Sequence, residues 1–186
     1  MRAASKGRLL AVGVGALLLA VAVAAGRALV DDVRPVRPGS RAPGFSAVNV
    51  ATGDTVSLAD FEGSVLLLNF WATYCLPCEQ EMPSMQRLHE LLSPHGLTVV
   101  AVSLDDEDSD FVLQWVRERG LTFHVLHDRT GSSARAYQLT GWPESFVIDR
   151  EGVIVKKAWG AKEWDSPAEA SLFGRLLGLA QTPPGS

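Results

Sequence analysis

From Leu9 to Gly26 every one of 18 consecutive residues is aliphatic, alanine or glycine. A core helix of that length would present a polar face to water. This run has none, and it reads as a membrane-directed segment, at the lower edge of a bilayer span and slightly long for a cleavable signal core. Arg2, Lys6 and Arg8 precede it, and Ala20, Ala22, Ala24 and Ala25 are small enough for cleavage. As an uncleaved anchor or as a removed signal, it keeps the basic flank inside and sends the rest of the chain out. No cysteine follows the run, which excludes a lipid-anchored lipoprotein. Residues 1–30 are therefore assigned to an anchor or signal. Residues 31–44, with Pro35, Pro38, Gly39, Pro43 and Gly44, have the chemistry of an extended linker. One globular domain is expected over 45–180 and a disordered tail over 181–186.

Within the body the apolar period switches repeatedly between strand and helix. Phe45–Val50 and Thr55–Leu58 predict a short hairpin around Thr52-Gly53-Asp54. Val65–Trp71 is a continuous apolar run broken only by Asn69, the mark of a strand buried on both faces. A helix is predicted from about Cys75 to Leu92, with Met82, Met85, Leu88, Leu91 and Leu92 as its apolar stripe. Leu97–Leu104 predicts a second buried strand. The next helix, about Asp108 to Arg119, carries Phe111, Val112, Trp115 and Val116 on one face and ends at Gly120. Phe123–Leu126 predicts a strand, Ser132–Gln138 a short helix, Ser145–Asp149 with Val153–Ala158 a hairpin, and Pro167–Leu177 the last helix. This order predicts an α/β fold with a central mixed sheet flanked by helices.

Composition narrows the function. The chain has 186 residues, 47% hydrophobic and 20% charged, with a net charge of −4. All four charges in residues 1–30 are positive, which leaves 13 basic against 21 acidic side chains in the remainder. So acidic a body excludes a nucleic-acid binder, which needs a basic face. The two cysteines, Cys75 and Cys78, stand three apart and cannot staple a fold. They are a redox pair, half of a metal site, or a coincidence.

Their setting favours redox chemistry. Phe70-Trp-Ala-Thr-Tyr-Cys75-Leu-Pro-Cys78 puts the pair between a buried strand and a helix, where free backbone N–H groups and the positive dipole end favour a thiolate. Cys75 is the expected nucleophile, and Cys78, one turn in, resolves the mixed disulfide. Pro77 suits a first turn, where its missing N–H has no partner to lose. Glu81, three residues beyond Cys78, shares its helix face.

The Phe-Trp-Ala-x-x-Cys-x-Pro-Cys motif, Pro83, and Gly141-Trp142-Pro143 before a strand together resemble the thioredoxin fold. Glu81, the strand at 99–105 and Pro143-Glu-Ser-Phe-Val-Ile-Asp149 resemble, more narrowly, the membrane-anchored TlpA/ResA/CcmG group, over roughly residues 40–178. The resemblance implies an extracytoplasmic thiol–disulfide oxidoreductase with Cys75, Cys78 and Glu81 as catalytic residues. It implies a cis Pro143 facing the disulfide, and substrate binding by Trp142, Pro143 and Trp71 with Pro77, Tyr74 and Glu144 beside them. Trp142 departs from the small or β-branched residue usual there, and Asn69, which cannot take a proton, stands where thioredoxins proper carry an aspartate. The resemblance implies Glu81 as the replacement, its pKa raised by partial burial so that it exchanges a proton with Cys78; the alternative is an acid that only complements the helix dipole, the reading given to Glu79. Glu144 resembles the acidic residue of the cytochrome c maturation members or is a solvated loop acid. The implied activity is reduction of protein disulfides, with apocytochrome c or its maturation factors as substrates and a membrane thiol-transfer protein as electron donor. No cofactor beyond the Cys75–Cys78 disulfide is expected, and no metal.

Rival readings fit less well. A general periplasmic disulfide reductase differs only in its substrates. A copper metallochaperone would use the two cysteines as soft ligands, but no histidine lies near Gly141-Trp142-Pro143. A peroxidase on a related fold would want threonine where Ala72 stands. Asp105-Asp-Glu-Asp108 fails as a calcium loop, with Phe111 and Arg117 at positions that require glycine and glutamate; it reads as a solvated loop that caps the next helix. His124 and His127 point to opposite faces of a strand and make a poor chelate.

Overall fold

The computed structural model describes residues 13–24 and 35–179. Two compact units part between Pro35 and Val36. Of the first, residues 13–24 are helical with exposed side chains. Among the described residues no helix is long and apolar enough to cross a membrane. The rest of the expected anchor or signal (1–12 and 25–30), the linker's residues 31–34 and the tail over 181–186 lie outside the described residues.

Among the described residues the second unit contains seven strands in one mixed sheet. The strands are β1 (Ser46–Asn49), β2 (Thr55–Ser57), β3 (Val65–Trp71), β4 (Leu97–Ser103), β5 (His124–His127), β6 (Glu144–Ile148) and β7 (Ile154–Trp159), with α1 (Leu76–Leu92), α2 (Ser109–Glu118), α3 (Ser132–Ala136) and α4 (Pro167–Leu177) between or after them. Their order across the sheet is β2-β1-β5-β4-β3-β6-β7. β3, β4 and β5 run parallel, while β6, β7, β1 and β2 are antiparallel to their neighbours. The parallel centre follows from the helical crossovers, and the antiparallel margins from short turns.

Strand alternation divides the core in two. Val65, Leu67 and Trp71 of β3 face a cluster with Met82, Met85 and Leu88 of α1, Val112 and Trp115 of α2, and Phe173 of α4. Leu66, Leu68 and Phe70 face the opposite cluster with Tyr137 and Phe146. Both faces of β3 are covered, which is why all seven of its residues are buried. The period of two also assigns Asn69 to the face of α1, as the one polar side chain in that strand.

Residues 36–44 are not a free linker: the N–H groups of Gly39 and Ala42 donate to Ile154 and Gly152, and Ser40 accepts from Ile154. Val36, buried at 8% exposure, anchors this segment in the second core cluster. Leu91 and Phe111 are exposed rather than on the buried stripes. The buried face of α1 runs through Cys78, Met85 and Leu92, and Leu91 falls about 100° away from its centre. Gly120 takes up the left-handed conformation (φ 63°) expected just past α2.

Candidate active site

Cys75 is the N-cap of α1, with extended backbone (φ −88°, ψ 100°), and Leu76 and Pro77 fill the first two helical positions. The N–H of Cys78 donates to Cys75 Sγ at 3.2 Å, in the way a serine cap receives an N–H from the first turn. The two cysteines form a disulfide with Cα atoms 5.2 Å apart. Cys78 is fully buried, and Cys75 keeps a narrow solvent edge at 8% exposure. The structure thus places at Cys75 the N–H donor and helix N-terminus that stabilise a thiolate.

A buried carboxylate holds the loop that delivers Cys75. Asp105 accepts from the Thr73 N–H (3.0 Å), the Thr73 hydroxyl (2.6 Å) and the Ser103 hydroxyl (2.6 Å). Its carbonyl accepts from His127 Nε2–H at 3.0 Å, which leaves Nδ1 to accept from Ser109 at 2.9 Å. Asp105 was expected in a solvated loop but is fully buried, whereas Asp106, Glu107 and Asp108 are exposed as expected and Asp108 caps α2 through the Phe111 N–H. Among the described residues no group of three or more His, Cys, Asp or Glu could hold a metal ion.

The Trp142–Pro143 bond is cis, as the resemblance implied. The Trp142 carbonyl oxygen lies 3.7 Å from Cys75 Sγ. Tyr74 and Trp142 meet edge to face, 6.4 Å between centroids. With Leu76 they leave a largely exposed apolar rim around the disulfide, Tyr74 at 67%, Leu76 at 64% and Trp142 at 39%. Trp71 does not join it. Its ring is fully buried, 4.7 Å from that of Trp115, and it offers a substrate no surface. The reason is register: Trp71, two residues on from Asn69, points under α1 while the chain beyond Ala72 turns outward.

Glu144 is neither solvated nor in a loop. It is the first residue of β6, fully buried, paired with Lys157 at 2.7 Å and accepting from Trp159 Nε1 at 2.9 Å. This fixes the strand that follows Pro143 and orients the exposed Trp159 ring beside it. Glu79, in the first turn of α1, pairs with Arg119 at 2.8 Å, whose guanidinium stacks 3.8 Å over Trp115.

Glu81 lies on the buried face of α1 at 1% exposure. Oε1 accepts from Asn69 Nδ2 at 2.6 Å, and Oε2 accepts from the Lys162 N–H and Trp164 Nε1–H, both at 3.2 Å. All three donors are neutral. Burial therefore outweighs them and pushes the carboxyl up to about 7 from an ordinary 4.5, the hydrogen bonds to Trp164, Asn69 and Lys162 pulling the other way. Ser84 clips the same strap, donating to the Glu81 and Lys162 carbonyls and accepting the Trp164 N–H. Trp164 and Lys162 carry no local signal, because they stand some 80 residues along the chain. Ser145, bonded to Asn69, could have been suspected from the pairing of two polar residues in apolar strands.

A disulfide capping a helix, faced by a cis-proline loop and backed by a carboxyl poised near neutrality, has one chemistry in common: exchange of thiols for disulfides. The molecule is a protein thiol–disulfide oxidoreductase of thioredoxin-like fold. By sequence it belongs to the AhpC/TSA family, whose model matches residues 38–157. It is 38% identical over 152 residues to thiol-disulfide oxidoreductase ResA of Oceanobacillus iheyensis, covering 80% of this chain and 79% of that one. It is 37% identical over 121 residues to the thioredoxin-like protein YneN of Bacillus subtilis, covering 64% and 69%. The fold matches a putative thiol:disulfide interchange protein DsbE from Chlorobium tepidum with TM-score 0.70 and 32% identity, over 77% of this chain and 99% of that one. The TlpA/ResA/CcmG-type resemblance is borne out.

Proposed function

We propose that the protein is an extracytoplasmic reductant of protein disulfides, held at the outer face of the cytoplasmic membrane by its N-terminal apolar segment. Its substrates are the cysteines of apocytochrome c or of a maturation factor, and its electrons come from a membrane thiol-transfer protein. The observation that carries the reading is Cys75 Sγ at the helix N-cap inside the exposed rim of Tyr74, Leu76 and Trp142. That rim suits an extended protein segment. Its backbone would lie along residue 142, whose carbonyl stands 3.7 Å from the sulfur.

In the reduced protein the Cys75 thiolate attacks one substrate sulfur. The substrate S–S bond breaks, a mixed disulfide forms, and the second substrate sulfur leaves as thiolate. Glu81 takes the Cys78 proton, and the Cys78 thiolate attacks Cys75 Sγ, which expels the reduced substrate and leaves the Cys75–Cys78 disulfide. Two electrons pass from the dithiol to the substrate, and the membrane donor restores them. The raised pKa of Glu81 suits it to this exchange near neutral pH.

The test is trapping in cells with Cys78→Ser, which stalls the mixed disulfide on Cys75. Recovery of a cytochrome maturation component is the expected result. A broad set of unrelated exported proteins would point instead to a general reductase, and an absence of adducts would count against a reductant. A measured potential as oxidising as that of a disulfide-forming enzyme would also overturn the assigned direction.

A further inference from the structure

The two oxygens of Glu81 have partners of different kinds. Oε2 faces two donors of fixed role, the Lys162 backbone N–H and the Trp164 indole N–H; neither can become an acceptor. Oε1 faces Asn69, which is different. Half a turn of a side-chain amide replaces two N–H donors by an oxygen with two lone pairs in the same place. Asn69 Nδ2 also donates to Ser145 Oγ at 2.9 Å, and a hydroxyl reverses its role as readily. Meanwhile Asn69 Oδ1 is buried with no partner among the described residues, an arrangement that buried acceptors ordinarily avoid.

We propose that Asn69 is a positioning residue whose amide takes two orientations, one for each protonation state of Glu81, and that it directs the carboxyl proton to Oε1. This rests on the reading of Glu81 as the group that exchanges a proton with Cys78. With Glu81 ionised, the amide stands as observed and Nδ2 donates to both Oε1 and Ser145. When Glu81 accepts the thiol proton of Cys78, Oε2 is closed to it by the two facing N–H groups. The proton therefore resides on Oε1. The amide turns, and Oδ1 accepts from Oε1–H and from the Ser145 hydroxyl. One proton moves, no electrons move, and Oδ1 gains the partners it lacked while Nδ2 gives up both of its own, so the exchange is driven by the new Oε1–H donor.

The groups bonded to this carboxyl are Asn69 on β3 and Lys162 and Trp164 on the strap after β7, with Ser145 of β6 behind Asn69 and Cys78 three residues earlier on the buried face of α1. Beyond the indole on that side lie Lys156 of β7, 6.0 Å from the Trp164 ring, and its ion-pair partner Glu169 of α4. A carboxyl raised toward neutrality occupies both states under working conditions, so an environment built for only one of them would oppose turnover.

The test follows the Asn69 side-chain NH2 resonances and the Glu81 carboxyl carbon of the oxidised full chain across a pH titration. The expected result is that both NH2 protons, shifted downfield by their bonds to Oε1 and Ser145, move upfield with the carboxyl midpoint, and that the movement vanishes in Glu81→Gln. Resonances that stay fixed through the carboxyl titration, or that still move in Glu81→Gln, overturn the proposal. Asn69→Leu supplies a second measurement. It removes a charge-assisted bond from the ionised form and a weaker neutral one from the protonated form, so the Glu81 midpoint and the pH limb of disulfide exchange shift upward together. An unmoved or lowered midpoint overturns the proposal. Failure of the underlying reading looks different: Glu81→Gln would then leave the rate of Cys78 attack unchanged while the Asn69 resonances still track the carboxyl.

Discussion

Replacing Glu81 by glutamine deletes one ionisable group from the interior while keeping its shape, and the structure sets the size of the consequence. The carboxyl titrates near 7 in the folded, oxidised protein against an ordinary 4.5. A group whose folded pKa is raised contributes stability that is fully present below its unfolded pKa and is lost as pH rises through the folded value. Between pH 8 and pH 5 the wild type should therefore gain about 2.5 kcal/mol from this group that the variant does not gain. For a protein of this size that is roughly 5–10 °C in Tm. Other carboxyls, among them Asp128 and Asp165, are held below their ordinary range and tilt the stability curve the opposite way. They are common to both proteins and cancel in the difference. Guanidinium unfolding of both oxidised proteins at several pH values measures it. A stability difference between variant and wild type that stays flat from pH 5 to pH 8 would refute the argument that burial governs this carboxyl.

Other expectations follow from single contacts. Asp105→Ala strands the Thr73 N–H and the Thr73 and Ser103 hydroxyls, and should cost about 3 kcal/mol in denaturant unfolding, with Asp105→Asn costing roughly half; equal costs would mean the negative charge, not the acceptor oxygens, matters. Trp71→Ala empties a fully buried site and should cost about 3–5 kcal/mol. Trp142→Ala should leave stability within about 1 kcal/mol while lowering kcat/KM on a protein disulfide, and unchanged kinetics would remove Trp142 from the substrate surface. Gly120→Ala meets no atom within 4 Å at its new Cβ, so only the left-handed backbone resists it. The cost should be about 1 kcal/mol, read as a fall in Tm.

Most of the sheet and helices were legible in the chain because their signals are local. β3 is a seven-residue run apolar but for Asn69, α4 begins at Pro167 after Ser166, and Gly120 follows the last turn of α2. The Cys75–Cys78 pair was equally legible, since the spacing and its strand-to-helix setting are contained in one short segment. Local signals misled where a side chain's partners come from elsewhere. Asp105 looked like a loop acid because Thr73 and His127 lie 32 and 22 residues away. Glu144 looked like one too, since Lys157 and Trp159 reach it only across the β6–β7 pairing.

By itself the amino-acid order determined the strand–helix alternation, the redox pair, its place at a helix start, and a glutamate one turn beyond it on the same face. Each depends on a period of two or of 3.6 and on short-range backbone chemistry. Only the tertiary structure decided what surrounds that glutamate. It brought Asn69 from β3, Ser145 from β6 and the Lys162–Trp164 strap to one carboxyl. It buried Trp71, and it set the Trp142 carbonyl against Cys75. A proton affinity and a substrate-facing surface are sums over groups distant in sequence, so they exist only once the sheet has brought those groups together.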